Sequence, residues 1–215
     1  MSKIAKQTEE WMGNFGDRYT KRNALTVDEA NKSYKKRFGI SKIELNSLFL
    51  GKLDRAIKIL EVGSNIGNQL LLLQRMGFKN LYGIEINSYA IEFFRKRAKD
   101  ISVVQGSAFD IPFKDKFFDL VFTSGLLIHI APTDINIVME EIHRCARKYI
   151  WGFEYYAEEY SEIVYRGKKN LLWKADFPRL YCNFFEDIEL IKEKRLKYSH
   201  NNNLDIMFLL GKKSD

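Results

Sequence analysis

The sequence predicts an α/β fold, in which a mostly parallel seven-stranded sheet carries helices on both faces and ends in a C-terminal antiparallel hairpin. From residue 57 onward, short apolar segments of strand length alternate with segments of helical periodicity, which is typical of parallel sheets. The first apolar segment runs into a glycine-bearing turn, IKILEVGSNIGN at residues 57–68. The last two, IELIKEKRLKYS and LDIMFLLGK, flank a run of asparagines and predict the hairpin.

The composition is that of one globular domain. The 215 residues suffice for an α/β domain with a full core, and 46% of them are hydrophobic. No run of about 18 apolar residues is present, and the N-terminus lacks the apolar core of a signal peptide, so we expect a cytoplasmic protein without a membrane span. Cys145 and Cys182 are expected to be thiols rather than a disulfide, and with three scattered histidines they suggest no metal site.

The formal charge of +7 leaves more than one interpretation open. Lys and Arg are spread along the chain with acidic residues among them, which is typical of a solvated surface. The same excess could steer an anionic substrate or bind RNA, although no RNA-binding module accompanies it.

Residues 1–50 are predicted to be helical and to precede the first strand. Trp11, Phe15 and Tyr19 recur every four residues and would form one aromatic face of the first helix. A second helix is predicted over 27–37 and a third over 41–53. The apolar contacts of the third helix are expected at Ile43, Leu45, Leu48 and Leu50.

The alternating part of the chain predicts five strands and three helices before the hairpin. The strands are expected at 57–62, 80–85, 101–105, 117–124 and 149–154, and the helices at 67–76, 88–99 and 134–147. Residues 155–186 are aromatic and charged without a regular period, so no element is predicted there. The hairpin turn is placed at 201–203, because asparagine tolerates the left-handed backbone conformation.

The turn after the first strand predicts a nucleoside-cofactor site. Glycine lets the backbone approach a ligand closely, and the following helix presents free N–H groups to it. Gly63 and Gly67 are four residues apart, whereas the first and last glycines of a dinucleotide fingerprint are five apart, which argues against NAD. Asn65 stands between them and is the best non-glycine residue where a positive φ is needed.

The turn and three later segments together resemble the class I S-adenosylmethionine-dependent methyltransferases. Glu61, Gly63, Asn65 and Gly67 are similar to the acid-x-Gly-x-Gly-x-Gly pattern of that family, with Asn65 in place of the middle glycine. The later segments are GIEIN with Glu85, GSAFDIPF at 106–113, and FDLVFTSGLLIHI at 118–130.

This resemblance implies a Rossmann-like class I methyltransferase fold with S-adenosylmethionine as the cofactor. In the family, the acid that ends the second strand binds the ribose hydroxyls, which here is Glu85, and Ser107 stands where an Asp is usual near the adenine. From the chain itself, Tyr19 and Arg22 are candidates for the methionine carboxylate of the cofactor. The expected cofactor-binding residues are Tyr19, Arg22, Glu61, Gly63, Ser64, Asn65, Gly67, Glu85, Ile86, Ser107, Ala108, Phe109, Ser124, Gly125 and Leu126.

The ends of the chain resemble a narrower group, the methylases associated with pseudaminic acid biosynthesis in bacteria. The similar segments are WMGNFGDRYTKRN, EVGSNIGNQL, SGLLIHI, EYYAEEYSEIVYRG and LLWKADF. The resemblance implies a small-molecule acceptor, a sugar or sugar nucleotide of surface-glycan biosynthesis, methylated on O or N. An RNA methyltransferase and a non-catalytic cofactor-binding Rossmann protein remain as alternatives.

Residues that follow the fourth and fifth strands are the candidates for catalysis, because ligands lie beyond the carboxyl ends of parallel strands. The catalytic candidates are His129, Glu154 and Tyr155, with His129 as a general base or as a structural histidine bound to a loop carbonyl. The substrate-binding candidates are Tyr156, Arg166 and Trp173, of which Arg166 suits a carboxylate or phosphate.

The chain is therefore expected to form a single methyltransferase domain with four parts. These are an N-terminal helical lid at 1–50, a cofactor-binding core at 55–154, a substrate-side insertion at 155–186 and a closing hairpin at 187–211.

Overall fold

The computed structural model describes residues 6–213. Its helices are α1 (Lys6–Met12), α2 (Asn14–Arg22), α3 (Val27–Phe38), α4 (Lys42–Leu50), α5 (Asn68–Arg75), α6 (Ser88–Arg97), α7 (Ile135–Cys145) and α8 (Phe177–Phe184), with a 3₁₀ turn at Leu127–His129. Its strands are β1 (Lys58–Val62), β2 (Asn80–Glu85), β3 (Ser102–Gln105), β4 (Phe118–Ser124), β5 (Ala146–Tyr155), β6 (Ser161–Glu162), β7 (Trp173–Lys174), β8 (Ile188–Lys197) and β9 (Leu204–Lys212).

Seven strands form one sheet in the order β3-β2-β1-β4-β5-β9-β8. The first five strands in that order run parallel, and β9 is antiparallel to both β5 and β8. The strand order reverses between β1 and β4, and such a point opens a crevice at the carboxyl ends of the strands. The predicted fold class is therefore confirmed, including the C-terminal antiparallel pair.

Helices cover both faces of the sheet and give the domain two core clusters. One cluster lies under α4, α5 and α6 and contains Leu45, Leu70 and Phe94. The other lies under α7 and α8 and contains Val138 and Phe177. Within the described part of the chain, no helix is long and apolar enough to cross a membrane.

The N-terminal segment differs from the prediction in two respects, and its residues 1–5 lie outside the described ones. The aromatic helix is broken in two at Gly13, which has an extended conformation and precedes α2. Trp11 nevertheless packs edge-on against Phe15 and Tyr19, with ring centroids 5.2 Å apart in both pairs. In α4, Leu48 is 47% exposed and Phe49 is buried, so the predicted apolar face was wrong at that position.

The segment predicted to be irregular contains a helix. Asp176 caps α8 by accepting the backbone N–H of Arg179 at 3.3 Å, and Pro178 stands in the first turn. An acidic cap followed by proline is a recognised start signal for a helix. The rest of the segment forms the short antiparallel pair of β6 and β7.

The hairpin forms as predicted, but its turn has a different geometry. Residues 198–203 connect β8 to β9, and none of the asparagines there has a positive φ. Instead, the Asn201 side chain accepts the backbone N–H of Asn203 at 2.9 Å, the hydrogen bond of an Asx turn. Strand β8 is the outer edge of the sheet and is exposed except at Ile188 and Leu196. Its charged residues protect this edge from pairing with other chains.

A reciprocal capping box fixes the start of α4. The Ser41 hydroxyl oxygen accepts the backbone N–H of Glu44 at 3.3 Å, and the Glu44 carboxylate accepts the backbone N–H of Ser41 at 2.9 Å. Two of the backbone donors that lack a partner within the helix are thus satisfied.

Replacing Ser41 with alanine should lower the free energy of unfolding by about 1 kcal/mol, because the capping hydrogen bonds are lost. Ser47→Ala in the exposed middle of the same helix is the matched control. Urea unfolding followed by circular dichroism would measure both, and an equal effect of the two substitutions would refute the role of the cap.

Candidate active site

A cavity of about 780 Å³ opens at the carboxyl ends of β1, β2 and β4. Its floor is the turn after β1, and α2 and α3 form one side. The segment after β4 and the Tyr165–Arg166 turn form the other side. Among the described residues, no group of three or more His, Cys, Asp or Glu is arranged to hold a metal ion, and both cysteines are free.

The turn after β1 has three left-handed residues within five. Gly63, Asn65 and Gly67 have φ of 74°, 45° and 76°, which confirms that Asn65 occupies a position needing positive φ. A Cβ at Gly63 would lie 2.9 Å from the Leu126 side chain. At Gly67 a Cβ would collide with the Phe94 ring. Gly67 therefore serves the packing of α5 on α6.

The Glu85 carboxylate connects the turn after β1 to the end of β2. Its Oε2 accepts the backbone N–H of Asn65 at 2.8 Å. Its Oε1 accepts the backbone N–H groups of Ile86 and Asn87 at 2.8 and 2.9 Å. Glu85 is 8% exposed, and burial raises the pKa of its carboxyl group. Each carboxylate oxygen has two lone pairs, so Oε2 can still accept from a ligand.

Three asparagines of the floor tie it to the N-terminal helices. The Asn65 amide donates to the Thr20 hydroxyl at 2.9 Å. The Asn87 amide donates to Asp17 at 2.9 Å and to the Trp11 carbonyl at 3.0 Å, and the Asn68 amide donates to the Asn23 carbonyl at 3.2 Å. These bonds hold Tyr19 and Arg22 of α2 over the cavity.

The N-terminal helices also meet the segment between β6 and β7 across the mouth of the cavity. The Trp11 ring lies 4.4 Å from the His129 ring, and the His129 ring lies 5.7 Å from that of Tyr165. An ion pair of 2.6 Å joins Lys168 to Glu10 of α1. We call this Glu10–Lys168 pair the clasp.

Several buried polar atoms of the cavity wall have no hydrogen-bond partner among the described residues. They are Trp11 Nε1, Glu61 Oε2, Ser64 Oγ, Gln69 Oε1 and Asp205 Oδ1. Leaving such an atom unpaired costs about 1–3 kcal/mol, so their concentration on one cavity indicates a polar ligand.

His129 lies in this wall and is 6% exposed. Its Nδ1 is 2.7 Å from the Leu171 carbonyl oxygen. A carbonyl can only accept, so Nδ1 carries the proton and Nε2 the lone pair. Burial lowers the pKa of His129 to about 4, so the imidazole is neutral at pH 7.

Glu154 points away from the cavity. It is fully buried, and its carboxylate accepts the backbone N–H groups of Leu126 and Ile128 at 3.2 and 3.4 Å. Burial raises the pKa of Glu154 to about 7. Its neighbours on β5, Phe153 and Tyr155, do line the cavity. Glu154 thus positions the turn after β4 and does not line the cavity.

Most of the predicted site residues meet at this cavity. Those that line it are Tyr19, Arg22, Glu61, Gly63, Ser64, Asn65, Glu85, Ile86, Ser107, Ala108, Phe109, Ser124, Gly125, Leu126, His129, Tyr155 and Arg166. Four do not line it: Gly67, Glu154, Tyr156 and Trp173. Tyr156 is buried with its ring under the Arg195 guanidinium at 4.3 Å, and Trp173 is buried in β7.

Sequence reasoning missed a second group of lining residues. These are Trp11, Tyr34, Arg37, Lys42 and Asp205. Lys42 and Asp205 come from parts of the chain that no motif marks, the start of α4 and the start of β9. Trp11 was singled out as part of an aromatic face, but nothing in the pattern placed it beside His129.

The comparisons with known proteins agree with this geometry. A family model described as a methyltransferase domain matches residues 60–149. No curated protein matches the sequence.

Solved structures with the same fold cover 78–100% of this chain at 11–17% identity. A 1,6-didemethyltoxoflavin-N1-methyltransferase from Burkholderia thailandensis, bound to 1,6-didemethyltoxoflavin and S-adenosylhomocysteine, has a TM-score of 0.73 and 12% identity over 100% of this chain and 92% of its own. The magnesium protoporphyrin IX methyltransferase from Synechocystis, bound to S-adenosylmethionine, has a TM-score of 0.70 and 11% identity over 99% of this chain and 100% of its own. An S-adenosylmethionine-dependent methyltransferase from Methanosarcina mazei has a TM-score of 0.66 and 17% identity over 78% of this chain and 98% of its own.

The matched segment covers residues 60–149, and the solved structures share the fold, so both comparisons support the resemblance to the class I methyltransferases. The narrower resemblance to the pseudaminic acid methylases is not tested by these comparisons and stays a prediction.

Because the pKa of His129 is lowered in the folded protein, the free energy of unfolding should fall as the pH falls. Its pKa is 6.5 when unperturbed and about 4 in the folded protein, so the unfolded chain binds the proton first as the pH falls. Stability is therefore fully present above about pH 6.5 and declines by up to about 3 kcal/mol as the pH falls to 4. His129→Gln should lack this decline.

Urea unfolding of wild type and His129→Gln at pH 7.5 and pH 4.5 would measure the difference. His200→Gln, at an exposed position, is the control and should follow the wild type. The same acid-induced loss in His129→Gln as in wild type would show that His129 is not the group responsible.

Proposed function

We propose that the enzyme transfers a methyl group to an oxygen or nitrogen atom of a small polar molecule, a sugar or sugar nucleotide of bacterial surface-glycan biosynthesis. One observation carries the proposal: the left-handed turn at 63–67 and the wall containing His129 and Tyr155 line the same cavity. The unpaired polar atoms of that cavity suit a ligand rich in hydroxyl groups. The resemblance of the chain ends to the pseudaminic acid methylases supplies the link to glycans.

The residues present fit S-adenosylmethionine. Glu85 would accept from the ribose hydroxyls through the free lone pair of Oε2, and the turn at 63–67 offers a backbone that a ligand can approach. Arg22 would bind the methionine carboxylate of the cofactor together with Tyr19. Burial raises the pKa of Tyr19, so its hydroxyl stays protonated and can donate. Ser107, Ala108 and Phe109 would flank the adenine.

When bound, the cofactor supplies a methyl group on a positively charged sulfur that is already activated for transfer. The chain then mainly has to align an acceptor and exclude water, and orientation of this kind can lower a barrier by about 7–11 kcal/mol. The Leu171 carbonyl fixes the His129 tautomer, so Nε2 can accept a hydrogen bond from an acceptor hydroxyl and take its proton. Tyr155 and Arg166 would orient the rest of the acceptor. The helices α1 and α2, joined by the clasp to residue 168, would form the lid.

Replacing Glu85 with glutamine should weaken binding of S-adenosylhomocysteine at least about tenfold, because hydrogen bonds to a charged carboxylate contribute about 1.5–3 kcal/mol. Isothermal titration calorimetry measures this, with thermal unfolding to establish that the variant is folded. Glu92→Gln, on the exposed face of α6, is the control. Unchanged affinity in folded Glu85→Gln would refute the ribose contact.

A methyl-transfer screen with labelled S-adenosylmethionine tests the acceptor. Sugar nucleotides, free nonulosonic acids and total RNA would be offered in parallel to wild type and to His129→Gln. We expect label in a sugar or sugar nucleotide, with a rate at least tenfold lower in the variant, since a general base contributes about 10²–10⁴-fold. Label in RNA alone would favour the RNA methyltransferase, and turnover unaffected by the substitution would leave His129 a structural residue.

A further inference from the structure

One end of the cavity is built by residues that the cofactor does not account for. Tyr34 and Arg37 of α3, Lys42 of α4, Phe153 of β5 and Asp205 of β9 line it together. We call this end the Lys42 pocket. Helices α3 and α4 lie beside α5, so the pocket adjoins the turn that follows β1.

Lys42 is a buried cation whose partner is a neutral group. It is 2% exposed, and its Nζ donates to the Tyr34 hydroxyl at 2.9 Å. The same atom lies 4.3 Å from the Tyr34 ring centroid and 3.8 Å from that of Phe153. Within residues 6–213 no carboxylate forms an ion pair with it. Burial lowers the pKa of Lys42 to about 7, which expresses the cost of a charge without a counter-ion.

Asp205 is a buried acid with one unused oxygen. It is 1% exposed, and its Oδ2 accepts the Tyr198 hydroxyl at 3.2 Å. Its Oδ1 has no partner among the described residues. Strand β9 lies between β5 and β8, with Asp205 paired to Tyr155 and Leu196, so the carboxylate is held on a rigid element.

The charges facing the pocket leave an excess of cations. Arg37 adds a second one, and its guanidinium lies 5.8 and 5.4 Å from the Phe38 and Tyr198 ring centroids; no acid of residues 6–213 forms an ion pair with it. Asp205 and Glu61 are the buried acids of the cavity wall here, and burial raises the pKa of both carboxyl groups, that of Asp205 to about 7. Each acid that binds a proton leaves positive charge at Arg37 and Lys42 without a counter-ion, which a single negative charge on a ligand would supply.

We propose that the Lys42 pocket binds a hydroxy-acid acceptor, with the ligand carboxylate on Lys42 and Arg37 and a ligand hydroxyl donating to Asp205 Oδ1. The inference rests on the methyl-transfer function proposed above and adds the chemical class of its acceptor. A carboxylate is favoured over a phosphate because a phosphate carries about two negative charges at neutral pH and would face the Asp205 carboxylate. Sugar acids combine the carboxylate and the hydroxyl in one molecule.

The test uses matched acids and neutral molecules on protein saturated with S-adenosylhomocysteine. The pairs are N-acetylneuraminate with its methyl ester and D-glucuronate with D-glucose, measured by saturation-transfer NMR and calorimetry. We expect at least one acid to bind at least tenfold more tightly than its neutral partner. Lys42→Met should lose this preference, Lys42→Arg should keep most of it, and Lys36→Met at an exposed position of α3 should leave it unchanged.

Several results would overturn the pocket assignment. They are equal binding of acid and neutral partner, no binding of either acid, an acid preference that survives in Lys42→Met, and tighter binding of glucose 6-phosphate than of glucuronate. Loss of S-adenosylhomocysteine affinity in Lys42→Met would instead assign the lysine to the cofactor. The comparison of each acid with its neutral partner on the wild-type protein tests the pocket assignment even if a variant fails to fold.

The two proposals fail separately. An acid preference that depends on Lys42, without methyl transfer to any offered acceptor, would refute the proposed function and keep the pocket. Methyl transfer to a neutral sugar at equal rates by wild type and Lys42→Met would keep the function and refute the pocket.

Discussion

The hydrogen bonds that the Glu85 carboxylate accepts from the backbone hold the cavity together. They join the turn after β1 to the loop after β2, although the two loops are 20 residues apart in sequence. Asn65 can present its N–H to Glu85 because its backbone is left-handed, and its side chain then reaches Thr20 of α2. One buried carboxylate thus fixes the cavity floor, and through Asn65 it also fixes the helices that cover it.

The cavity divides along the reversal in strand order. Loops that follow β1, β2 and β3 form one part, and their backbone geometry is set by parallel pairing over a continuous core. The part around Lys42 and Asp205 is made by helices that precede the first strand and by a strand that pairs antiparallel. The two parts can therefore change independently, and under the proposed function one keeps the nucleoside site while the other sets which molecule is methylated.

The sequence predicted what depends on local pattern and missed what depends on tertiary placement. The alternation of strands and helices and the positive φ at Asn65 follow from periodicity and from the chemistry of single residues. The break at Gly13 and the exposure of Leu48 depend on neighbours that no local pattern records. Glu154 was expected in the site because it ends β5, but alternation along the strand turns it to the opposite face from Tyr155. Lys42 and Asp205 approach the same cavity only after a helix and an antiparallel strand have packed. Asp176–Pro178, by contrast, was a readable signal for α8.

The clasp affects how fast a bound molecule can leave the cavity. Glu10 and Lys168 are 158 residues apart, and their ion pair is partly exposed to solvent. Dissolved ions weaken such a solvent-exposed ion pair as the ionic strength rises. Rising salt therefore favours separation of the first helix from the Tyr165–Lys168 turn and faster escape of bound molecules. The ionic composition of the surroundings would in this way set a residence time, while the residues that bind the methyl donor stay as they are.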